Sequence, residues 1–299
     1  MNMSNLVNTM SVTSPNIWLP RTIDEAAELK NQFGKAAEFA SGATLLQLQW
    51  KNGRKVPDHL ISLENIDAIR AIKFNQENAE LSIGALTSLG VYQTNKIIKG
   101  FPIICNALKS IAAPGIRNRG TIGGNVMGGV GDIIPLLLSL NAKLEFWDAN
   151  NLIRLDIWSW LQQTSNKEKL LTRIIIPLDK EIMENYSFYR KIGRRETFTA
   201  AILTVSGKIK WDETNKIVDA TLAIGGGDNQ PIRLEITEQL IIGNNGYEVD
   251  WKKVYDSIIE EFIPAEDTFV TGSYRKKVAA NLIVAEIQGQ FIKNGFAKE

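Results

Sequence analysis

The chain has 299 residues, 44% of them hydrophobic, which is enough to bury a large core and, by length, to form two or three domains. Its 34 basic and 33 acidic residues leave a net charge of +1, which argues against an electrostatic nucleic-acid binder, since that needs a strong basic excess. Cys105 is the only cysteine and His59 the only histidine. An intramolecular disulfide and a cysteine-ligated cluster therefore lack their side chains in this chain, and a zinc site or a Ser-His-Asp triad is poorly supported.

In chain order, the N-terminal residues are rich in Asn, Ser, Thr and Met and have neither a basic nor an apolar leader region, so 1–14 reads as a loose tail. Thr22 to Gln32 has helical spacing, with Thr22 as cap and Glu25 three residues on, as in a capping box. Ala36 to Ala40 reads as a strand, and Leu45 to Trp50 continues as a helix or strand. His59 lies in a loop running into a strand, where a structural or surface role is expected. Ile69 to Phe74 and Glu80 to Gly84 read as two strands joined by a polar turn. Ser88 to Lys99 and Pro102 to Ile111 read as helices, with Cys105 a small core residue in the second.

Ile133 to Leu140 is the longest apolar candidate for a membrane span; it is too short and contains Pro135, so no span and a cytoplasmic chain are expected. Ala142 to Trp147 and Leu170 to Ile176 read as strands, and the polar stretch Pro177 to Glu184 marks a boundary. Thr199 to Trp211 and Ile217 to Ile224 read as hairpin strands. Helical spacing returns from Trp251 to Phe262 and from Ser273 to Ile292.

Two glycine sites carry the chemistry. Ile116-Arg-Asn-Arg-Gly-Thr-Ile-Gly-Gly-Asn125 combines a Thr-x-Gly-Gly-Asn turn with two arginines and is followed by Gly-Val-Gly-Asp132. Glycine lets backbone approach a ligand, successive bare amides make an anion site, and Thr121 and Asn125 add side-chain hydrogen bonds at its rim. Upstream, a strand, the turn Ser41-Gly-Ala-Thr44 and an apolar run make a plausible phosphate loop. Neither site has the spacing of a Rossmann fingerprint or a P-loop. Together they point to a phosphate-bearing cofactor held by backbone. Gly123 and Gly124 in a plain tight turn, and Arg117 and Arg119 on a solvated face, are the bland alternatives.

These loops resemble the FAD-binding (medium) subunits of the molybdenum hydroxylase family, which includes the flavin subunits of xanthine dehydrogenase and the medium chain of aerobic carbon monoxide dehydrogenase. The resemblance extends, in order, through Ala40-Ser-Gly-Ala-Thr-Leu-Leu46, Leu81-Ser-Ile-Gly-Ala-Leu-Thr-Ser-Leu89, Ile116 to Asn125, Lys191-Ile-Gly-Arg-Arg195, Ala223-Ile-Gly-Gly-Gly227 with Pro231-Ile-Arg233, and Tyr274-Arg-Lys-Lys-Val-Ala-Ala280. The chain departs from the family pattern at Val126-Met-Gly-Gly-Val-Gly-Asp132, which is shorter and richer in glycine.

What the resemblance implies is an α+β flavoprotein with a two-lobed FAD-binding domain of the PCMH (vanillyl-alcohol-oxidase-like) type, lobes 15–60 and 61–180. A C-terminal α+β domain with a small antiparallel sheet follows over 185–295. The implied FAD contacts are Phe39, Ala40, Ser41, Gly42, Ala43, Thr44, Leu45, Leu46, Ile111, Thr121, Ile122, Gly123, Gly124, Asn125, Asp132, Leu171 and Lys191. Ser41 to Leu46 and Thr121 to Asn125 are expected on the pyrophosphate, Asp132 on the ribityl hydroxyls, and Leu171 and Lys191 near the isoalloxazine. No catalytic acid–base residue and no metal are expected. The implied function is electron transfer from the iron–sulfur clusters of a partner chain through FAD to an acceptor such as NAD or a quinone, beside a molybdenum-cofactor subunit. Arg117, Arg119, Arg194 and Arg195 flank the FAD elements and are candidates to face the iron–sulfur partner. A self-sufficient FAD oxidoreductase of the same fold and a scaffold subunit that has lost its flavin are the alternatives.

Overall fold

The computed structural model describes residues 14–148, 151–163, 169–178, 186–194 and 201–293. Three sheets organise them. The first is parallel, in the order β1 (Asn16–Trp18), β3 (His59–Ser62), β2 (Ala37–Ala40), with α1 (Ile23–Phe33) and α2 (Thr44–Lys51) in the connections. α1 starts where its sequence says: Thr22 Oγ1 accepts from the Glu25 amide at 3.1 Å. Glu25 reaches back to the Arg21 amide, one residue ahead of the donor that a capping box uses. His59 is structural, stacked on Phe33 with centroids 3.9 Å apart and accepting from the Trp18 indole.

The second sheet runs β4 (Ile72–Asn75), β5 (Glu80–Gly84), β8 (Leu170–Pro177), β6 (Lys143–Asp148), β7 (Asn151–Asp156), antiparallel throughout. Between β5 and β6 the chain makes five short helices: α3 (Lys96–Lys99), α4 (Pro102–Ser110), α5 (Pro114–Arg119), α6 (Ile122–Met127) and α7 (Ile134–Ser139). α8 (Ile157–Leu161) follows β7. Ser88 to Lys99 is not one helix but a 3-10 turn, Leu89–Gln93, then α3. The break has a local cause: Asn95 Oδ1 accepts from the Ile97 and Ile98 amides and restarts the helix there. Cys105 is half-buried in α4, its thiol donating to the Ile98 carbonyl, and burial raises its pKa.

The third sheet is antiparallel, in the order β12 (Asn229–Arg233), β11 (Ile217–Gly226), β10 (Ala201–Trp211), β9 (Tyr186–Gly193). α9 (Glu235–Ile241), α10 (Trp251–Glu261) and α11 (Gly272–Lys293) complete its domain, and Phe188, Val205, Leu222, Val254, Ile283 and Phe291 are among its buried core. The expected α+β class, with a small antiparallel sheet at the C-terminal end, is what the structure has. α7, whose side chains are all buried, packs on β10, β11 and β12 and joins the third sheet to the core of the second sheet. Ser139 Oγ and Ser206 Oγ meet at 2.8 Å in that seam. Among the described residues no helix is long and apolar enough to cross a membrane.

Candidate functional site

The two glycine sites, eighty residues apart in the chain, close on each other. Ser41 and Thr121 hydroxyls lie 2.9 Å apart. A Cβ on Gly42 would overlap the Arg119 carbonyl, so glycine is what lets the loops touch. A Cβ on Gly123 would sit 2.6 Å from the Ala85 carbonyl, and one on Gly124 would sit 2.9 Å from Thr121 Oγ1 and 3.1 Å from Ser41 Oγ.

Backbone donors divide unequally between the loops. The second loop is the start of α6, with Thr121 as its cap. Ile122 N donates to Thr87 O, Gly123 N to Ala85 O, Gly124 N to Thr121 Oγ1 and Asn125 N to Thr121 O. The expectation of bare amides there is not met: the Leu81–Leu89 segment and the helix cap consume them. The first loop is different. The amides of Ser41 to Leu46 donate to no acceptor among the described residues. They wrap onto the N-terminus of α2, whose cap residue Ala43 takes a left-handed conformation, φ 54°, and offers no side-chain cap. Unpaired first-turn amides with the helix dipole behind them form a ready anion site.

Two chambers that share wall residues flank this point. The first, about 580 Å³, is lined by Phe39, Ser41, Gly123, Gly124 and Leu171 among the expected residues. The second, about 890 Å³, is lined by Phe39, Ser41 to Leu46, Ile111, Thr121, Gly124, Asn125 and Asp132. Glu38, Phe39, Ser41, Arg54, Gly124 and Met127 line both. Ala40 and Ile122 are buried in the core beneath and line neither. Lys191 is not on the wall but behind it, its ammonium 2.8 Å from Asp132 Oδ2 and 3.1 Å from the Ser110 carbonyl. Its side chain is 8% exposed, so it is not a surface lysine. Leu171 lies in one chamber and the Asp132–Lys191 pair at the other; the structure does not bring Leu171 and Lys191 together as expected.

The arginines also separate. Arg117 is buried, donating to the Ile111 and Ala112 carbonyls with its guanidinium 5.8 Å from the centroid of the Tyr92 ring, so it braces the chain beneath the groove instead of facing solvent or a partner. Arg119 is exposed. Arg194 lies at the second chamber, 4.1 Å over the Phe269 ring and paired with Asp267. Arg195 lies outside the described residues. The Phe269 and Val270 amides, with Arg275 and Arg194, hold the Asp267 carboxyl below the usual carboxylate range. Sequence reasoning missed several wall residues: Arg54, Met127, Gly227, Asp267 and Arg275. Gly227 and Arg275 do stand inside the C-terminal motifs, so a signal existed for them.

The family model for the FAD binding domain in molybdopterin dehydrogenase matches residues 10–179. The chain belongs to that family. The model for the CO dehydrogenase flavoprotein C-terminal domain matches residues 187–288. The carbon monoxide dehydrogenase medium chain of Afipia carboxidovorans is 28% identical over 276 residues, covering 88% of this chain and 92% of its own. The glyceraldehyde dehydrogenase medium chain of Sulfolobus acidocaldarius is 27% identical over 231 residues, 74% of this chain and 79% of its own. The xanthine dehydrogenase FAD-binding subunit of Escherichia coli O157:H7 is 27% identical, covering 73% and 76%. In fold, the chain superposes on reconstituted CO dehydrogenase from Oligotropha carboxidovorans with a TM-score of 0.83 at 23% identity, over 93% of this chain and 98% of that one.

The residues of this molybdopterin dehydrogenase flavin subunit fit FAD. The unpaired Ser41–Leu46 amides suit a pyrophosphate, the missing Cβ of Gly124 leaves the wall open opposite them, and the groove is apolar at Phe39, Leu170 and Leu171. Among the described residues no cluster of His, Cys, Asp and Glu could hold a metal.

Proposed function

We propose that this flavin subunit works as the electron-transfer chain of a molybdenum hydroxylase complex, between the iron–sulfur clusters of a partner subunit and an acceptor such as NAD or a quinone. A third subunit carries the molybdenum cofactor and hydroxylates the substrate. The observation that carries this reading is the set of unpaired amides at the start of α2, set in a groove walled by the FAD-binding and C-terminal domains. Support for partners comes from the cysteine count, since one cysteine cannot ligate a cluster, and from relatives that are named as medium chains or as a complex subunit.

The chain's own residues bind and orient. Backbone from Ser41 to Leu46 holds the pyrophosphate, with the Ser41 and Thr121 hydroxyls beside it. The second chamber, where the resemblance puts Asp132 on the ribityl hydroxyls and Lys191 near the isoalloxazine, would take the flavin head. The first, with Phe39, Leu170 and Leu171, would then take the adenosine end, away from the place expected for Leu171. FAD supplies electron exchange singly or in pairs, which suits a junction between clusters and a two-electron acceptor.

The purified chain is expected to be yellow and to release non-covalent FAD on acid precipitation. A folded, colourless chain that takes up no added FAD sinks the reading. Co-expression with its iron–sulfur and molybdenum subunits is expected to give one complex. Turnover of a reduced substrate by the isolated chain would point instead to a self-sufficient oxidoreductase.

A further inference from the structure

Asp132 is expected from the family pattern on the ribityl chain, yet its carboxylate is occupied from the C-terminal domain. Oδ2 pairs with Lys191 at 2.8 Å and Oδ1 accepts from the Gly227 amide at 3.2 Å. Its backbone is fixed as well, because Tyr189, buried on β9, donates from its hydroxyl to the Asp132 carbonyl at 3.0 Å. The Gly225-Gly-Gly227 turn delivers that amide to the carboxylate. Gly226 and Gly227 have φ of +80° and +64°; a Cβ on Gly226 would lie 2.4 Å from Thr204 Oγ1 and 3.1 Å from Asp132 Oδ1, and one on Gly227 would lie 2.3 Å from the Ala201 carbonyl. Asp132 lines the second chamber while Lys191 stands behind it. With side chains 14% and 8% exposed, the pair is only weakly screened by solvent.

We infer that Asp132 is the counter-ion of Lys191 and its positioning residue, and so sets how much positive charge the second chamber presents to the flavin head. Tyr189 and the Gly227 amide hold that carboxylate in register. The inference rests on the proposed FAD reading. A lone cation beside the flavin favours its more negative, reduced form; a carboxylate 2.8 Å from that cation cancels most of the field. Charge at this point is therefore set by a residue pair spanning two domains.

The test uses the FAD-loaded protein and four variants: Asp132→Asn, Lys191→Met, the double variant, and Tyr189→Phe. Midpoint potential, FAD affinity and apo-protein melting temperature are read for each. Asp132→Asn is expected to shift the reduced-to-oxidised ratio toward reduced by about tenfold, ~30 mV for a two-electron couple, with a smaller change in FAD affinity. Lys191→Met is expected to shift it the other way by a similar amount, so that the double variant, which loses both charges, returns close to the wild-type potential. Tyr189→Phe moves the potential as Asp132→Asn does, by less.

A double variant whose potential stays with that of either single variant means that the two charges do not offset each other at the flavin and overturns the inference. So does a loss of FAD in Asp132→Asn with an unchanged potential in the remainder. Should Asp132→Asn fail to fold, an unaltered potential in Tyr189→Phe overturns it instead. A colourless wild type defeats the FAD reading itself. In that case the pairing still stands or falls on whether the melting temperatures of the two single variants are non-additive in the double.

Discussion

Gly123 and Gly124 look alike in the sequence and do different work. Gly123 is pressed on the Ala85 carbonyl, so a side chain there forces two backbone segments apart and threatens the fold. Gly124 meets only the Thr121 and Ser41 hydroxyls and faces both chambers of the groove. Gly124→Val should therefore lower FAD affinity tenfold or more while the melting temperature stays within a few degrees of wild type. Fluorescence titration with FAD beside a thermal melt checks this, and wild-type affinity would remove the loop from the site. Glycine spacing made both positions legible. What it did not show is where the free amides are, because hydrogen-bond partners such as Ala85 and Thr87 come from a segment 35 to 38 residues upstream. Arg117 was misleading for a similar reason: its acceptors, the Ile111 and Ala112 carbonyls, exist only after α4 has ended in a turn.

Elements were most legible where local chemistry decides them. Thr22 caps α1, Pro102 starts α4, and the strands of β5, β6 and β8 match their apolar runs. They were least legible where a short helix depends on tertiary partners, as in α6, whose six residues include two glycines and whose first amides bond to Thr87 and Ala85. The Pro231-Ile-Arg233 motif has an element-scale role of this kind. Arg233 grips the fully buried Glu238 of α9 through Nε and Nη2, and Glu238 also accepts from the Leu222 amide, which fixes α9 to β11. Burial raises the Glu238 carboxyl above its ordinary value, opposed by Arg233 and the Leu222 amide. A raised carboxyl binds its proton more tightly folded than unfolded, so its contribution to stability falls as pH climbs from the ordinary value through the raised one. Arg233→Met strips away the main opposing group. It should cost about 3 kcal/mol at pH 7, with part of the loss regained by pH 5 as Glu238 takes up its proton. Urea unfolding at the two pH values measures this. An equal loss at both would mean that Glu238 is not the group left exposed to the penalty.

At the scale of the molecule, the order of the motifs was enough to indicate a two-lobed flavin domain followed by a small antiparallel sheet. It did not reveal that the groove is also walled by the C-terminal domain, through Gly227, Asp267 and Arg275, or that Leu171 lines one chamber while Lys191 stands behind the wall of the other. Sequence distance carries no information about which side of a cleft a strand presents. Arg194 now has a defined place in that arrangement: half-exposed at the second chamber, lying on Phe269, which is itself exposed, and paired with Asp267. Neither contact anchors the α2 amides, so its charge belongs to the rim of the groove and not to the pyrophosphate site. On the proposed FAD placement, a partner that delivers electrons would approach the second chamber, whose wall includes Arg194. Arg194→Glu places like charge against Asp267 and reverses the rim, so it should weaken co-purification of the iron–sulfur and molybdenum subunits more than it lowers flavin content. The measurement is subunit stoichiometry on a sizing column alongside the FAD-to-protein ratio, repeated at raised salt, where an electrostatic contact in the wild type should itself loosen. A variant that stays fully assembled but loses FAD would assign Arg194 to the cofactor and leave the docking surface elsewhere.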